Sequence, residues 1–390
     1  MHKLNVSVLV AIFYLLITDS SFGQRLRDLK LIFSEQEVSV YECAASAGRY
    51  ASFRTTNFDA DMHYIYDFKT GKTRAIYESG EGFMEEVEES TSNLVWSPTK
   101  ETYFIFKMVK DGVGTPVFGE INQNIDISLT RMNVKGENQT QANTSTILAW
   151  GGRDEVLFSR CKRCQNNTID VPASDYDLFS FPMRNYLRGK TVTDQYKPLP
   201  KSPEIREMNA SYINRFESIV SGIDASGSSN LYKVNPRDEK YKVITNTPKL
   251  SESWPAVGPD GEYVIFCDPH IDKETVADLY ILDLSALNVQ PSFLVGDVFI
   301  ASTAFSSVGQ YTWSKDGKYV VFVRSDPDNQ NPLALVDIQT KQIKEIDTGL
   351  EFVSSFSISG DGENIIMVAA GKSGAKEKIS YKVYAGKIEY

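Results

Sequence analysis

Histidine and cysteine are scarce in this chain of 390 residues. It holds 3 His and 4 Cys, against 51 Asp and Glu and 41 Lys and Arg, which gives a formal net charge of −10. So few imidazoles argue against a histidine-rich metal centre. The acidic balance also argues against binding to nucleic acid or to anionic membrane surfaces, because both carry negative charge.

Helical patterns and one catalytic motif are absent as well. No stretch after the N-terminus shows the 3.6-residue apolar periodicity of an amphipathic helix. No G-x-S-x-G motif is present, which excludes the nucleophile elbow of α/β-hydrolase-type serine peptidases. Tyrosine and phenylalanine are abundant, with 20 and 21 copies, and both favour strands. The sequence therefore predicts an all-β protein.

The N-terminus has the pattern of a secretory signal peptide. His2 and Lys3 precede a mostly apolar run over residues 6–17, and Ser21 and Gly23 supply small residues before Gln24. We expect cleavage after residue 23, a mature domain over 24–390 and a periplasmic or extracellular location. The alternative is that the segment stays as a single-pass anchor. No later run is long enough for a transmembrane helix.

Strand–turn–strand units recur along the chain. The unit YTWSKDGKYVVFVRSD (311–326) places an Asp-Gly turn between two apolar runs, as in a β-hairpin. Similar units are SWPAVGPDGEYVIFCD (253–268), FSISGDGENIIMVA (356–369) and LVWSPTKETYFIFK (94–107), and weaker copies begin at 41, 148 and 212. One apolar anchor in each second strand, about fifty residues apart, marks a repeat: Phe53, Phe106, Phe158, Val220, Phe266, Phe322 and Met367.

Third and fourth strands follow each unit. Examples of the third are HYIYDF (63–68), DISLTRM (126–132) and ISYKVY (379–384), and the last unit ends with KIEY as its fourth strand. Four antiparallel strands per repeat form a propeller blade. We predict a β-propeller of seven such blades, or of six or eight if the weak unit at 200–248 is misassigned.

The W-S-x-D-G-K-Y pattern at Trp313–Tyr319 and its variant at 257–266 resemble the repeats of TolB-like propellers, also called WD40-like PD40 repeats. The resemblance covers nearly the whole mature chain and implies an exported propeller. It does not imply one activity, because the fold hosts binding proteins, gating domains and lyases.

Trp96, Trp150 and Trp313 lie on first strands, where we expect them to pack between blades.

Long polar loops between second and third strands suggest a binding face. In a four-stranded blade these loops emerge at one end, together with the connections between blades, and long loops often carry function. The candidate binding residues in them are Asp59, Asp61, His63, His270, Asp272, Asp326 and Asp328. No cofactor is expected. Clustered acids suit Ca²⁺, although no D-x-D-x-D-G loop is present, and the metal is left unknown.

The four cysteines divide into a close pair and two distant residues. Cys161 and Cys164 enclose Lys-Arg in a loop, and we predict a local disulfide between them. Cys43 and Cys267 fall in strands of distant units, where we expect buried free thiols.

Two functions fit these features. The first is an exported, non-catalytic propeller that binds a protein or cell-envelope component through its loop-rich face. The second is a carbohydrate-binding or carbohydrate-active propeller, resembling a lyase or hydrolase, with a glycan in its central pocket. The missing histidine cluster and the missing hydrolase domain favour the first, although paired carboxylates leave catalysis open.

Overall fold

In the residues that the computed structural model describes, the chain forms 28 β-strands. The structure describes residues 25–34, 39–56, 61–76, 94–110, 113–122, 126–131, 145–151, 155–161, 176–183, 197–198, 205–235, 240–270, 272–273, 275–286, 290–300, 311–326, 331–350, 352–370 and 381–390. These strands form seven four-stranded sheets, each antiparallel, which we call blades 1 to 7 in chain order. The prediction of an all-β propeller with four-stranded antiparallel blades is confirmed.

The strands are as follows. β1 (Arg25–Phe33) precedes blade 1. Blade 1 contains β2 (Ser39–Ala45), β3 (Tyr50–Thr56), β4 (Asp61–Asp67) and β5 (Lys72–Ala75). Blade 2 contains β6 (Val95–Trp96), β7 (Tyr103–Lys110), β8 (Val113–Ile121) and β9 (Ile127–Arg131). Blade 3 contains β10 (Ser145–Gly151), β11 (Glu155–Cys161), β12 (Tyr176–Pro182) and β13 (Lys197–Pro198).

The second half repeats this plan. Blade 4 contains β14 (Ile205–Tyr212), β15 (Ser218–Asp224), β16 (Ser229–Asn235) and β17 (Lys240–Val243). Blade 5 contains β18 (Ser253–Val257), β19 (Tyr263–Pro269), β20 (Val276–Asp283) and β21 (Ser292–Phe299). Blade 6 contains β22 (Tyr311–Trp313), β23 (Tyr319–Val323), β24 (Leu333–Asp337) and β25 (Ile343–Glu345). Blade 7 contains β26 (Phe352–Ile358), β27 (Asn364–Ala370) and β28 (Tyr381–Glu389), and β1 is its fourth strand.

The apolar anchors lie where the repeat predicts them. Each is in the second strand of its blade, and each is between 0 and 2% exposed. A second strand is covered on both faces by neighbouring blades, so a large apolar side chain there is removed from water. The core is thus a series of layers between blades.

The last blade differs from its prediction. KIEY is not a separate fourth strand, because β28 runs without a break from Tyr381 to Glu389. The fourth strand is β1, which pairs with β28 from Arg25↔Glu389 to Phe33↔Val383. The two ends of the described chain therefore close blade 7 together.

Blade 2 also differs. The segment 109–124 belongs to the long polar loops that the sequence predicts between second and third strands, but it contains the whole of β8, which pairs with β7 up to Lys110↔Val113. The predicted third strand at 126–132 is the fourth strand, β9. Pro116 and several glycines weaken the strand pattern of this segment, which is why the sequence reads as a loop.

Tryptophan side chains join neighbouring blades as predicted for two positions. Trp96 Nε1 donates to Ser52 Oγ of blade 1 at 3.1 Å, and Trp313 Nε1 donates to the carbonyl of Ala256 in blade 5 at 2.8 Å. Blades 7 and 1 are joined by a backbone hydrogen bond instead, in which Gly360 N donates to the Ser46 carbonyl at 2.9 Å.

The blades have two distinct ends. The connections from first to second and from third to fourth strands form one end, which we call the turn face. The second-to-third-strand loops and the connections between blades form the other, which we call the loop face. On the turn face, Gly317 has φ +70°, in agreement with the Asp-Gly turn that its sequence predicts. Among the described residues, no helix is long and apolar enough to cross a membrane.

Candidate functional site

Three of the predicted binding residues lie at the loop face. His270 and Asp272 follow β19, and Asp326 follows β23. Asp272 is exposed, whereas His270 and Asp326 are half-buried. The structure thus places these three in the loops that the sequence indicates.

Of the other four, His63 is the one whose side chain the structure describes. His63 lies inside β4, 5% exposed, with its ring centroid 5.6 Å from that of Phe106 in blade 2. Burial and the positive charge of Arg54 lower the pKa of His63 to about 3. Asp61 is in β4 without a described side chain, and Asp59 and Asp328 lie outside the described residues. His63 is therefore a neutral interior residue and not part of an accessible loop site.

Carboxylates gather at the loop-face end of blade 5. Asp268 on β19 and Asp278 on β20 are directly opposite partners in the antiparallel pair. His270 Nε2 lies 3.2 Å from Asp278 Oδ1, and both side chains are about a quarter exposed, at 25% and 28%. Ser251 N donates to Asp268 Oδ1 at 2.8 Å. We call Asp268, His270, Asp272, Asp278 and Asp297 the acidic end of blade 5.

A bulge in the sheet sets the position of Asp278. The β20–β21 register shifts on both sides of Leu279, next to Asp278. Asp278 Oδ1 would lie 3.0 Å from a Cβ built on Gly296 of β21, so the backbone of β21 approaches this carboxylate closely. Bulges of this kind re-aim side chains and occur often near functional sites.

The negative charge of this end acts on its neighbours. Burial raises the pKa of Tyr280, and the charges of Asp268 and Asp278 add to the effect. Glu252, in the connection from blade 4, is fully buried, and its pKa is raised chiefly by burial and further by Asp268. Thr247 Oγ1 donates to Glu252 Oε1. The charge of Asp268 therefore acts on both the buried carboxyl group of Glu252 and the phenol of Tyr280.

The acidic end continues into blade 6. Ser325 N donates to the carbonyl of Asp297 at 2.7 Å, which ties the outer strand of blade 5 to the loop that holds Asp326. Asp326 N donates to Asn331 Oδ1 at 3.4 Å. A surface of half-buried and exposed acidic residues thus extends over the loop-face ends of two adjacent blades.

This surface is suited to electrostatic recognition of positive groups. Ser251 N holds the carboxylate of Asp268 and His270 contacts that of Asp278, and fixed acids attract cations without reorganising. No group of three or more His, Cys, Asp or Glu among the described residues has the arrangement of a metal site. Sequence reasoning missed Asp278, Asp297 and Glu252, because Asp278 and Asp297 lie in strands and Glu252 lies in a connection.

The two distant cysteines are free thiols, as predicted. Burial raises the pKa of Cys43 to about 12, and burial also raises the pKa of Cys267. Cys161 ends β11 without a described side chain, and Cys164 lies outside the described residues. Their disulfide stays a prediction.

The fold is shared with several solved structures. A puromycin-hydrolysing peptidase of Mycobacterium tuberculosis matches with a TM-score of 0.61 at 10% identity, over 93% of this chain and 54% of the peptidase. An oligogalacturonate lyase in complex with manganese matches with 0.55 at 12% identity, over 94% and 95%. The β-propeller domain of the Trilobed protease from Pyrococcus furiosus matches with 0.57 at 13% identity, over 91% and 94%. The likeness shows the fold.

These similarities to solved structures extend to the fold and no further. The chain spans about half the length of the puromycin-hydrolysing peptidases, at 53% and 54%. The Trilobed protease domain has an open velcro topology, whereas here β1 pairs with β28. No protein-family model and no curated protein matches the chain. The TolB-like resemblance therefore stays an interpretation of the repeats, with its fold confirmed.

Proposed function

We propose that the mature chain is an exported, non-catalytic propeller that binds a protein or cell-envelope component through its loop face. The observation that carries the proposal is the acidic end of blade 5, with Asp268 and Asp278 opposite each other and Asp326 in the next blade. Propellers commonly bind through loops that a rigid ring positions. The charge predicts a partner that presents lysine or arginine, or one bridged by a cation.

Export rests on the N-terminal segment. The pattern over residues 1–23 predicts cleavage before Gln24, which would leave all of β1 in the mature chain. Expression of the full chain in a secreting host, followed by N-terminal sequencing of the product, tests this part. A product that retains residues 1–23 in a membrane fraction would support the retained anchor instead.

The binding proposal is tested first by capture. Crosslinking of residues 24–390 in the envelope or medium of its own source, followed by mass spectrometry, should identify a partner with a basic surface. Association of the purified pair should slow as salt rises, because salt screens attraction between the charged surfaces. Salt-independent association would overturn the electrostatic part of the proposal.

Variants then locate the surface. Asp272→Asn, His270→Gln and Asp326→Asn should each weaken binding several-fold, mainly through the association rate. Lys318→Gln is the matched control, since Lys318 is an exposed charge on the turn face, with a side chain 71% exposed. Loss of binding in the control and retention in the loop variants would show that the turn face binds. Turnover of oligogalacturonate, with or without manganese, would overturn the non-catalytic proposal.

A further inference from the structure

The turn between β14 and β15 in blade 4 differs from the Asp-Gly turns. In blades 6 and 7, Asp316 Oδ1 and Asp361 Oδ1 each accept a backbone N–H two residues later, both at 3.1 Å. In blade 4, Asn214 Oδ1 accepts from Phe216 N at 2.8 Å and from Glu217 N at 3.2 Å. The turn keeps its cap, but its tip carries Arg215 and Phe216, whereas the corresponding turns of blades 5, 6 and 7 contain Gly261, Gly317 and Gly362.

These side chains line a depression on the turn face. It has a volume of about 530 Å³ and is lined by Asn214, Arg215, Phe216, Glu217 and Asn235. That volume is within the range of small-molecule sites. The depression lies at the end of blade 4 away from the loop face, so it is separate from the acidic end of blade 5.

Within the described part of the depression, Glu217 has a cationic partner and Arg215 has no anionic one. Glu217 Oε1 lies 2.9 Å from Lys233 Nζ, and Asn214 Nδ2 donates to Glu217 Oε2 at 3.0 Å. Burial opposes ionisation of Glu217, but these contacts outweigh it and lower its pKa. Arg215 is exposed and forms no ion pair within the part of the chain that the structure describes. Among the described lining residues, Arg215 is thus the cation that an anionic ligand could pair with.

We propose that this depression binds a carboxylate flanked by an apolar or aromatic group. The guanidinium of Arg215 presents paired N–H donors in a plane, which matches the two oxygens of a carboxylate. Phe216, half-buried beside it, offers an apolar ring face to the adjoining part of the ligand. Glu217 and Asn214 are already engaged with each other, so few side chains remain for the many hydroxyls of a sugar.

The test uses two acids and their neutral amides on the purified mature chain. Benzoate represents a free aromatic acid, and N-acetyl-phenylalanine represents the carboxyl-terminal end of a polypeptide. Comparison of the two probes therefore shows which kind of ligand the depression prefers. Benzamide and N-acetyl-phenylalaninamide keep the shape and remove the charge. Ligand-observed NMR titration should show binding of at least one acid below about 10 mM, and binding of its amide about tenfold weaker.

Variants assign the contacts. Arg215→Gln should weaken acid binding about tenfold, and Phe216→Leu should weaken it less. Lys318→Gln removes another exposed cation of the turn face and should leave binding unchanged, while circular dichroism checks that all variants fold. Equal binding of acid and amide, unchanged binding in Arg215→Gln, or binding of neither acid would overturn the proposal. Binding of glucuronate alone would also overturn it, because the apolar flank would then be wrong.

Discussion

Asp268 and Asp278 occupy directly opposite positions in the antiparallel pair β19–β20, so two acidic residues are neighbours at the loop-face end of blade 5. Like charges in such positions destabilise a sheet. Ser251 N and His270 Nε2 offset part of this repulsion, at 2.8 and 3.2 Å. Sites kept for binding often hold such unfavourable pairs at the expense of stability.

Asp268→Asn should therefore stabilise the fold. The amide removes one of the opposed charges and keeps an oxygen that accepts from Ser251 N, so we expect a gain of about 0.5–1 kcal/mol in the free energy of unfolding. Urea denaturation measures it. Asp272→Asn, at an exposed loop position, should change stability little and serves as control. A loss of stability in Asp268→Asn would show that its charge is needed for the fold.

Glu252→Gln should stabilise the protein at neutral pH. The folded-state pKa of Glu252 is raised above its usual value, so ionisation opposes folding once the pH exceeds that value. Gln stays neutral and retains an oxygen for Thr247 Oγ1. We expect a gain of about 1–2 kcal/mol at pH 8 and little change at pH 4, measured by thermal unfolding. An equal effect at both pH values would contradict the role of the buried charge.

His63→Gln should flatten the acid limb of the stability curve. In the folded state the pKa of His63 is about 3, whereas the unfolded chain takes up a proton near pH 6.5, so stability falls between these values as pH falls. Glu42 and Arg54 lie in the same cross-strand row, and Phe106 packs from blade 2.

The variant should lose up to about 1.4 kcal/mol per pH unit of this slope, measured by urea denaturation from pH 4 to 6. His270→Gln controls for loss of an imidazole as such. A slope unchanged from the parent would show that His63 is protonated in the folded state.

Removal of β1 should destabilise the whole domain. β1 supplies the fourth strand of blade 7, and the Phe33 ring centroid lies 5.1 Å from that of Phe53 and 5.0 Å from that of Tyr64 in blade 1. A chain that starts at residue 34 should lose on the order of 3–5 kcal/mol relative to one that starts at Gln24. Equal melting temperatures would show that the ring does not depend on this closure.

The thiols should report burial and pairing separately. Native protein should react slowly at Cys43 and Cys267, because Cys267 is buried, Cys43 is partly buried and desolvation raises the pKa of both thiols. Alkylation of unfolded, unreduced protein should label both of them, while Cys161 and Cys164 stay unlabelled if they form the predicted disulfide. Labelling of all four would show that Cys161 and Cys164 form no disulfide, and their thiols would then be available as metal ligands.

Most of the blade pattern could be predicted because it is local. Hairpin turns such as the one around Gly317 and apolar anchors such as Phe322 depend on residues within a few positions of each other. The weak unit of blade 4 also follows the pattern, with Val220 buried in β15 although its turn lacks Asp-Gly.

The candidate site was predicted only in part. The loop positions of His270, Asp272 and Asp326 follow from strand order, because alternate connections share one end of a blade. The opposition of Asp268 and Asp278 depends on the register of β19 and β20, and a shift of one residue would send the side chains of one strand to the other face of the sheet. The depression at Arg215 depends on how Asn235, at the end of β16, lies beside the turn at 214–217.

By itself the sequence determined the strands, the hairpins and the four-stranded blade, because alternation of apolar residues and turn chemistry act over short distances. Tertiary structure decided which strand closes blade 7, that His63 is enclosed between blades 1 and 2, and which carboxylates face one another. These features depend on contacts between segments far apart in the chain, such as Arg25 and Glu389. Local sequence patterns do not identify such partners, because burial and strand pairing are determined only when the blades pack together.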